Sequence, residues 1–153
     1  MGLPQSLTNN SMIKVYFDGK CGLCSKEINY YQRIVPEEVF EWLDIATDPS
    51  PLKGLGISQR EALKRLHVQD SAGTIKTGIN GFQVIWQQLP GWRILGRITG
   101  VPGIYHFVEY LYVVFAAYRF ERLDHCKAID DRWRPVALGW THAMASWKIG
   151  PMQ

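Results

Sequence analysis

The chain has 153 residues, of which 46% are hydrophobic and 20% are charged, and its formal net charge is +3. This length fits one globular domain with a buried core, and so small a net charge gives no reason to expect nucleic acid as a partner. Three cysteines are too few, and odd in number, for a secreted disulfide scaffold. Residues 1–11 are polar and lack an apolar signal core, so we predict a flexible leader and a cytoplasmic location.

The first elements predicted after the leader form a β-α-β unit. The mostly apolar segment 12–17 is typical of a buried strand, and residues 18–20 are typical of a turn. The pattern over residues 21–35 predicts a helix that Pro36 ends, and a second strand is predicted over 39–45. Two strands joined by a helix form a parallel pair with a right-handed crossover.

The next segments predict a mixed sheet. Ser58 and Glu61 have the spacing of a capping box at the start of a short helix. Residues 67–69 and 74–77 are predicted to form a hairpin, whose strands are antiparallel, and residues 79–89 form an amphipathic helix. This element order is that of the thioredoxin fold. We therefore predict an α/β fold (α+β with a mixed sheet), a thioredoxin-like sandwich with a C-terminal helical extension.

The chain becomes helical and apolar from Trp92 onward. Helices are predicted over 92–98 and 104–123, with a glycine- and proline-containing break between them. The uncharged span 110–118 is too short to cross a bilayer, which needs about 20 residues. We therefore expect a buried helix in this region.

The C-terminal segment is predicted to lie outside the main domain. We place the thioredoxin-like domain at 12–125 and an extension at 126–153. The extension carries three tryptophans at an even spacing of seven, which would place them on one helical stripe: Trp133, Trp140 and Trp147.

The segment Cys21-Gly22-Leu23-Cys24 carries the strongest functional signal. Two cysteines two residues apart at a strand-to-helix junction are typical of a redox pair, and a helix N-terminus favours a thiolate. We expect Cys21 to lie at the N-cap or first helical position, where the helix end lowers the pKa of its thiol. We expect this thiolate to attack a disulfide. We expect Cys24, one turn deeper and more shielded, to resolve the mixed disulfide.

Two alternatives to the redox pair are half of a zinc site and a pair of structural cysteines. A zinc site needs about four ligands. The adjacent pair His125-Cys126 suits such a site poorly, and we assign no metal. The other candidate ligands are His67, His106 and His142.

The residues around the motif have two interpretations each. Asp18 either fixes the turn with Gly19 through its side chain, which we favour, or moves a proton for Cys24. Lys20 either favours the thiolate through its charge or is a solvated turn residue.

The remaining cysteine and its basic neighbours are predicted to have no catalytic role. Cys126 is predicted to be inert, the default for a lone cysteine, with a third redox partner or intermolecular pairing as alternatives. A solvated basic face is predicted for Arg119, Arg122 and Lys127.

The segment from Tyr16 to Cys24 resembles the opening motif of the DCC family of thiol-disulfide oxidoreductases (DUF393), a strand followed by Asp-Gly-x-Cys-x-x-Cys. Further similar features follow in order over about residues 12–125, namely His67 to Asp70 with Gly73, Gly78, Phe82, Leu89 to Trp92, Val101 to Gly103, and Tyr118-Arg119. The resemblance implies a thioredoxin-like fold and a redox role for Cys21 and Cys24.

One departure from thioredoxins concerns substrate docking. Thioredoxins place a cis-proline just before the first hairpin strand, and this chain has no proline before Val68. His67 either lies near the cysteines and stabilises a thiolate or is a strand residue with a local hydrogen bond.

Two functions from different classes follow. The first is an intracellular oxidoreductase that uses the dithiol, without a cofactor, on protein or glutathione disulfides. The second is a non-catalytic module whose Trp-rich helices bind a partner protein or associate weakly with a membrane surface. The sequence does not predict an oligomeric state.

Overall fold

A computed structural model of the protein describes residues 12–129 and contains a four-stranded mixed sheet. The strand order is β2-β1-β3-β4; β1 runs parallel to β2 and antiparallel to β3, and β3 runs antiparallel to β4. This architecture confirms the predicted fold class and the predicted pairing. The strands are β1 (Ile13–Phe17), β2 (Phe40–Asp44), β3 (His67–Gln69) and β4 (Ile75–Thr77).

The helices also lie close to their predicted positions. The predicted capping box is present, since the Ser58 hydroxyl accepts a hydrogen bond from the Glu61 N–H and the Glu61 carboxylate accepts one from the Ser58 N–H. The long apolar helix begins at Pro102, earlier than predicted, because proline fits the first helical turn. The helices are α1 (Gly22–Ile34), α2 (Gln59–Lys64), α3 (Ile79–Gln88), α4 (Arg93–Thr99) and α5 (Pro102–Arg122).

Two apolar clusters cover the two faces of the sheet. Successive strand residues point to opposite faces, so Val15 and Tyr16 of β1 belong to different clusters. The Val15 cluster includes buried residues of α1 and α3, among them Ile28 and Ile85. The Tyr16 cluster includes Leu63, Phe120 and Cys126. The end of β1 therefore lies where both clusters, α2 and the end of α5 come close together.

The prediction that α5 is a buried helix is wrong. Only Ala116 and Phe120 of this helix are buried, whereas Phe107 is 64% and Tyr110 is 66% exposed. The helix packs against α2, α3 and α4 along one side. It is apolar on nearly all sides, so hydrophobicity alone did not indicate which face would be covered. None of the described helices combines the length and the apolar character needed to span a membrane.

Two predictions concern the ends of the chain and lie outside the described residues. They are the flexible leader at 1–11 and the stripe of Trp133, Trp140 and Trp147. The proposed boundary at 125/126 falls within helical residues 124–129, and Ile129 packs against the Tyr16 cluster. The division into domains stays a prediction.

Candidate functional site

The two cysteines of the motif lie in contact at the start of α1. Cys21 is the N-cap residue, as predicted, and its sulfur accepts a hydrogen bond from the Cys24 N–H over 3.3 Å. The two Sγ atoms are 2.6 Å apart, with the Cys24 thiol donating to Cys21. Both cysteines are free thiols in this structure. The local sequence brings them together, because the turn after β1 places Cys21 at the helix end and one helical turn returns to it at Cys24.

The relative exposure of the two cysteines is the reverse of the prediction. Cys21 is only 2% exposed, whereas Cys24 is half-buried. The expectation that Cys24 is the more shielded residue is therefore wrong. Cys24 lines a cleft between α1, α3 and α5. The aromatic side chains of Phe82, Tyr112 and Phe115 also line this cleft.

The two thiols differ in acidity. Burial raises the pKa of Cys21, but hydrogen bonds from Cys24 and the nearby Arg119 guanidinium outweigh burial and hold the pKa below its ordinary value. Burial raises the pKa of Cys24 to about 12; the charge of Arg119 opposes this shift, while the hydrogen bond to Cys21 adds to it. Cys21 is therefore the more acidic of the two thiols, which is the direction expected of an attacking cysteine.

Arg119 supplies the positive charge of the site. Its side chain is 12% exposed, and Nη1 lies 3.1 Å from the Cys24 sulfur and 3.3 Å from Asp18 Oδ2. Nη2 donates to the Leu63 carbonyl oxygen, which fixes the guanidinium against the end of α2. The prediction of a solvated face is wrong for Arg119, whereas Lys20, the cation considered from the sequence, is exposed.

The spacing of α5 explains the position of Arg119 only once the buried face of the helix is known. Arg119 lies three residues after Ala116, and residues three apart share one helix face. Ala116 and Phe120 are the buried positions of α5, so Arg119 lies on or beside the packed face. That face could not be identified beforehand because the helix is apolar on nearly all sides.

Asp18 joins the turn to two distant parts of the chain. It is 4% exposed, and its Oδ1 accepts a hydrogen bond from the Lys20 N–H over 3.1 Å, in agreement with the favoured turn role. The same carboxylate contacts Arg119 and lies 2.9 Å from the Nε2 of His125. The Cys126 thiol donates to Oδ2 over 3.8 Å. The sequence motif identifies Asp18, but its contact with His125, 107 positions away, is formed only by the tertiary fold.

Gly19 is required by a close approach of backbone to side chain. Its N–H donates to Asp44 Oδ1 over 2.9 Å, and a Cβ atom at Gly19 would lie 2.2 Å from Asp44 Oδ2. The Gly19 carbonyl oxygen accepts a hydrogen bond from the Ser25 hydroxyl of α1 over 2.7 Å. Gly19 thus ties the turn to β2 and to α1, and so helps to position the cysteines.

His67 makes a local hydrogen bond and lies in β3. Its Nδ1 is 2.9 Å from the Arg65 carbonyl oxygen, and burial lowers its pKa. The contact agrees with the local interpretation of this histidine rather than with support of a thiolate. The peptide bonds of the described residues are all trans, so the cis-proline of thioredoxins has no counterpart among them.

A group of three possible metal-ligating residues borders the redox pair. The ligand atoms of Asp18, His125 and Cys126 all lie within 4.8 Å of one another, and Asp18 and Cys126 are buried. From the sequence we assign no metal, because the adjacent His125-Cys126 pair suits a zinc half-site poorly. The fold adds a carboxylate from a turn more than 100 residues away, which could not be predicted from local spacing.

Comparison with known proteins gives one family and one relative. A family model described as DCC1-like thiol-disulfide oxidoreductase matches residues 15–124. The chain is 28% identical, over 115 residues, to an uncharacterized chloroplastic protein of Arabidopsis thaliana. This match covers 73% of the chain and 53% of the relative, so the chain spans about half the length of that protein. No solved structure matches the chain significantly.

Proposed function

Since this chain belongs to the DCC1-like thiol-disulfide oxidoreductase family, we propose that it catalyses thiol–disulfide exchange with Cys21 and Cys24 as its redox pair. The observation that carries the proposal is the contact of two free thiols beside a buried cation. The sulfurs are 2.6 Å apart, and the Arg119 guanidinium, which is 3.1 Å from the Cys24 sulfur, also lowers the pKa of Cys21. A cation at this distance favours the thiolate, which is the nucleophile in exchange.

The proposed reaction proceeds through a mixed disulfide. The Cys21 thiolate attacks one sulfur of the substrate disulfide, the substrate S–S bond breaks, and the first substrate thiolate leaves with the proton from Cys24. Cys24 then attacks the Cys21 sulfur, which releases the second substrate thiolate. The substrate gains two electrons, and the protein is left with a Cys21–Cys24 disulfide that an external thiol reduces.

The proposed substrates are protein disulfides and glutathione disulfides, which reach the pair along the cleft beside Cys24. Support comes from the cleft lining, where Leu23 and Phe115 offer apolar surface and Arg119 offers a charged end. Because Cys21 is 2% exposed, its attack requires local movement at the start of α1. Asp18 is a positioning residue in this scheme, since it holds Arg119 beside the sulfurs.

Reduction of insulin and of a glutathione mixed disulfide, each with an excess of reductant, tests the proposal. Wild-type protein is expected to accelerate both reactions, and Cys21→Ser is expected to lower the rate to background. Cys24→Ser is expected to accumulate a mixed disulfide at Cys21, detectable by intact mass. Background rates for wild type with both substrates, together with no mixed disulfide in Cys24→Ser, would contradict the proposed function.

A second candidate function is non-catalytic attachment to a partner protein or weakly to a membrane surface. It is favoured by the exposed apolar side chains of α4 and α5, which include Ile94, Ile98, Phe107, Tyr110 and Val114. Liposome flotation tests it, with Phe107→Ser as the surface variant and Cys21→Ser as the control that retains binding. Equal flotation of wild type and Phe107→Ser would contradict the membrane form of this function.

We also propose a cytoplasmic location. Support comes from the small, odd number of cysteines, three, which does not suit the disulfide scaffold of a secreted protein and fits a reducing compartment. Fractionation of the native host with an antibody against the protein tests the proposal, and recovery in an oxidising compartment would contradict it.

A further inference from the structure

We propose that Asp18, His125 and Cys126 form a binding site for a divalent transition-metal cation, with zinc as the best fit. The three ligand atoms belong to two parts of the chain, the turn after β1 and the helical residues 124–129, and all lie within 4.8 Å of one another. The site shares Asp18 with the contact that holds Arg119 beside the redox pair, but its ligands do not include the sulfurs of Cys21 and Cys24, and it does not depend on the proposed exchange reaction.

The ligand types fit zinc. A carboxylate oxygen, an imidazole nitrogen and a thiolate sulfur are all common zinc ligands, and sites with three protein ligands keep a fourth position for water. Asp18 and Cys126 are buried, and the His125 side chain is 21% exposed. The partly exposed histidine leaves a path by which a cation can enter.

The two distances that involve Asp18 are close to those around a tetrahedral ion. Zinc bonds of about 2.0–2.1 Å to nitrogen and oxygen and about 2.3 Å to sulfur imply tetrahedral edges of about 3.3 Å between N and O and about 3.6 Å between O and S. With Asp18 Oδ2 as the carboxylate ligand, the corresponding distances are 3.0 Å to His125 Nε2 and 3.8 Å to Cys126 Sγ. The third edge, from His125 Nε2 to Cys126 Sγ, is within 4.8 Å, so the two side chains must approach each other by at most about 1 Å to bind one ion.

The surrounding groups can support a bound cation. Metal-ligating carboxylates are usually hydrogen-bonded themselves, and Asp18 accepts from the Lys20 N–H and from Arg119. The positive charge of Arg119 opposes a second cation nearby. The Asp18 carboxylate and a Cys126 thiol that loses its proton on binding together carry two negative charges, which equal the charge of Zn²⁺.

The test measures metal binding without the redox pair. The full chain carrying Cys21→Ser and Cys24→Ser is reduced, stripped with a chelator and titrated with Zn²⁺ against a chromophoric competitor. Serine suits the N-cap position of Cys21, so the start of α1 is retained. We expect one Zn²⁺ per chain. With Co²⁺, we expect a thiolate-to-cobalt absorption band that is absent when the chain also carries Cys126→Ser.

Two further variants in the same background decide whether the named residues bind the metal. His125→Gln is expected to weaken Zn²⁺ binding by about tenfold or more. His106→Gln, which changes an exposed histidine of α5, is the matched control and is expected to leave the affinity unchanged. Absence of stoichiometric Zn²⁺, or an unchanged affinity in both His125→Gln and Cys126→Ser, would overturn the proposal. Either result leaves the exchange assays on wild type unaffected.

Discussion

Arg119 and Cys24 are 95 positions apart in the chain, and the Arg119 Nη1 atom lies 3.1 Å from the Cys24 sulfur. The same guanidinium contacts Asp18 and the carbonyl oxygen of Leu63, so it is fixed from three directions. Because the guanidinium is already held in place, it needs little reorientation when a thiolate forms beside it. The structure therefore links the acidity of the dithiol to a residue at the end of α5.

Replacing Arg119 should slow the chemistry of Cys21. Arg119→Met removes the charge and keeps an unbranched apolar side chain, so the Cys21 pKa is expected to rise. Loss of a neighbouring opposite charge should lower the iodoacetamide rate at neutral pH by about tenfold. Arg122→Met, which changes an exposed arginine of the same helix, is the control and should react as wild type does. Equal rates for wild type and Arg119→Met would show that Arg119 does not stabilise the thiolate.

The pH dependence of alkylation should distinguish the two cysteines. In Cys24→Ser, whose hydroxyl can still donate to sulfur, Cys21 should react with an apparent pKa below the value of about 8.5 for a free thiol. In Cys21→Ser, the remaining Cys24 should stay protonated to higher pH, because burial raises its pKa. Rates are read by mass spectrometry of the labelled peptide. A Cys21 midpoint at or above that of a free thiol would contradict the assignment of the nucleophile.

Gly19 should not tolerate a side chain. In Gly19→Ala the new Cβ would meet the Asp44 carboxylate at 2.2 Å, so the turn must move and the hydrogen bond to Asp44 must lengthen. We expect a loss of roughly 1–3 kcal/mol in the free energy of unfolding, measured by urea denaturation. Gly22→Ala is the control, since a Cβ at Gly22 meets no atom within 4 Å. It should be neutral or stabilising by about 0.5 kcal/mol. Similar losses for both variants would argue against the steric explanation.

Glu27 should destabilise the fold at neutral pH. Burial raises the pKa of this carboxyl, although a hydrogen bond from Tyr31 partly opposes the shift. A raised folded pKa means that the native state holds the proton more tightly than the unfolded chain. Stability from this group is therefore present below the unfolded pKa and is lost as the pH rises through the folded pKa.

Glu27→Gln removes this titration and keeps a hydrogen-bond acceptor for Tyr31. Urea denaturation should show a gain of roughly 0.5 kcal/mol at neutral pH. The gain should shrink toward pH 4, where the wild-type carboxyl is protonated. Glu38→Gln, an exposed glutamate, should show no such pH-dependent gain. A stability difference between wild type and Glu27→Gln that does not change with pH would contradict this account.

Features that depend on neighbouring residues could be predicted from the sequence, whereas contacts between distant parts of the chain could not. Strands, caps and turns depend on neighbouring residues, so the capping box at Ser58 and the N-cap position of Cys21 were predicted correctly. The partners of Asp18 depend on how α5 packs. Because α5 is apolar on nearly all sides, neither the burial of Arg119 nor the approach of His125 could be predicted from periodicity.

The exposure of the cysteines was predicted wrongly for a related reason. The order of residues along α1 indicates which cysteine is further from the helix end, but not which one faces a cleft. The cleft beside Cys24 exists because α3 and α5 contribute Phe82 and Tyr112 to its wall. That arrangement is set by tertiary packing, about which the motif alone carries no information.

The most direct test of the central claim is a redox titration of the Cys21–Cys24 pair in glutathione buffers, with Cys126→Ser present to leave two thiols. Each sample is acid-quenched, and the disulfide is quantified by mass spectrometry after alkylation. We expect one two-electron transition to an intramolecular disulfide, with a midpoint between about −270 and −120 mV, the range of CxxC oxidoreductases. Free thiols at every potential, or only glutathione adducts, would contradict a redox pair.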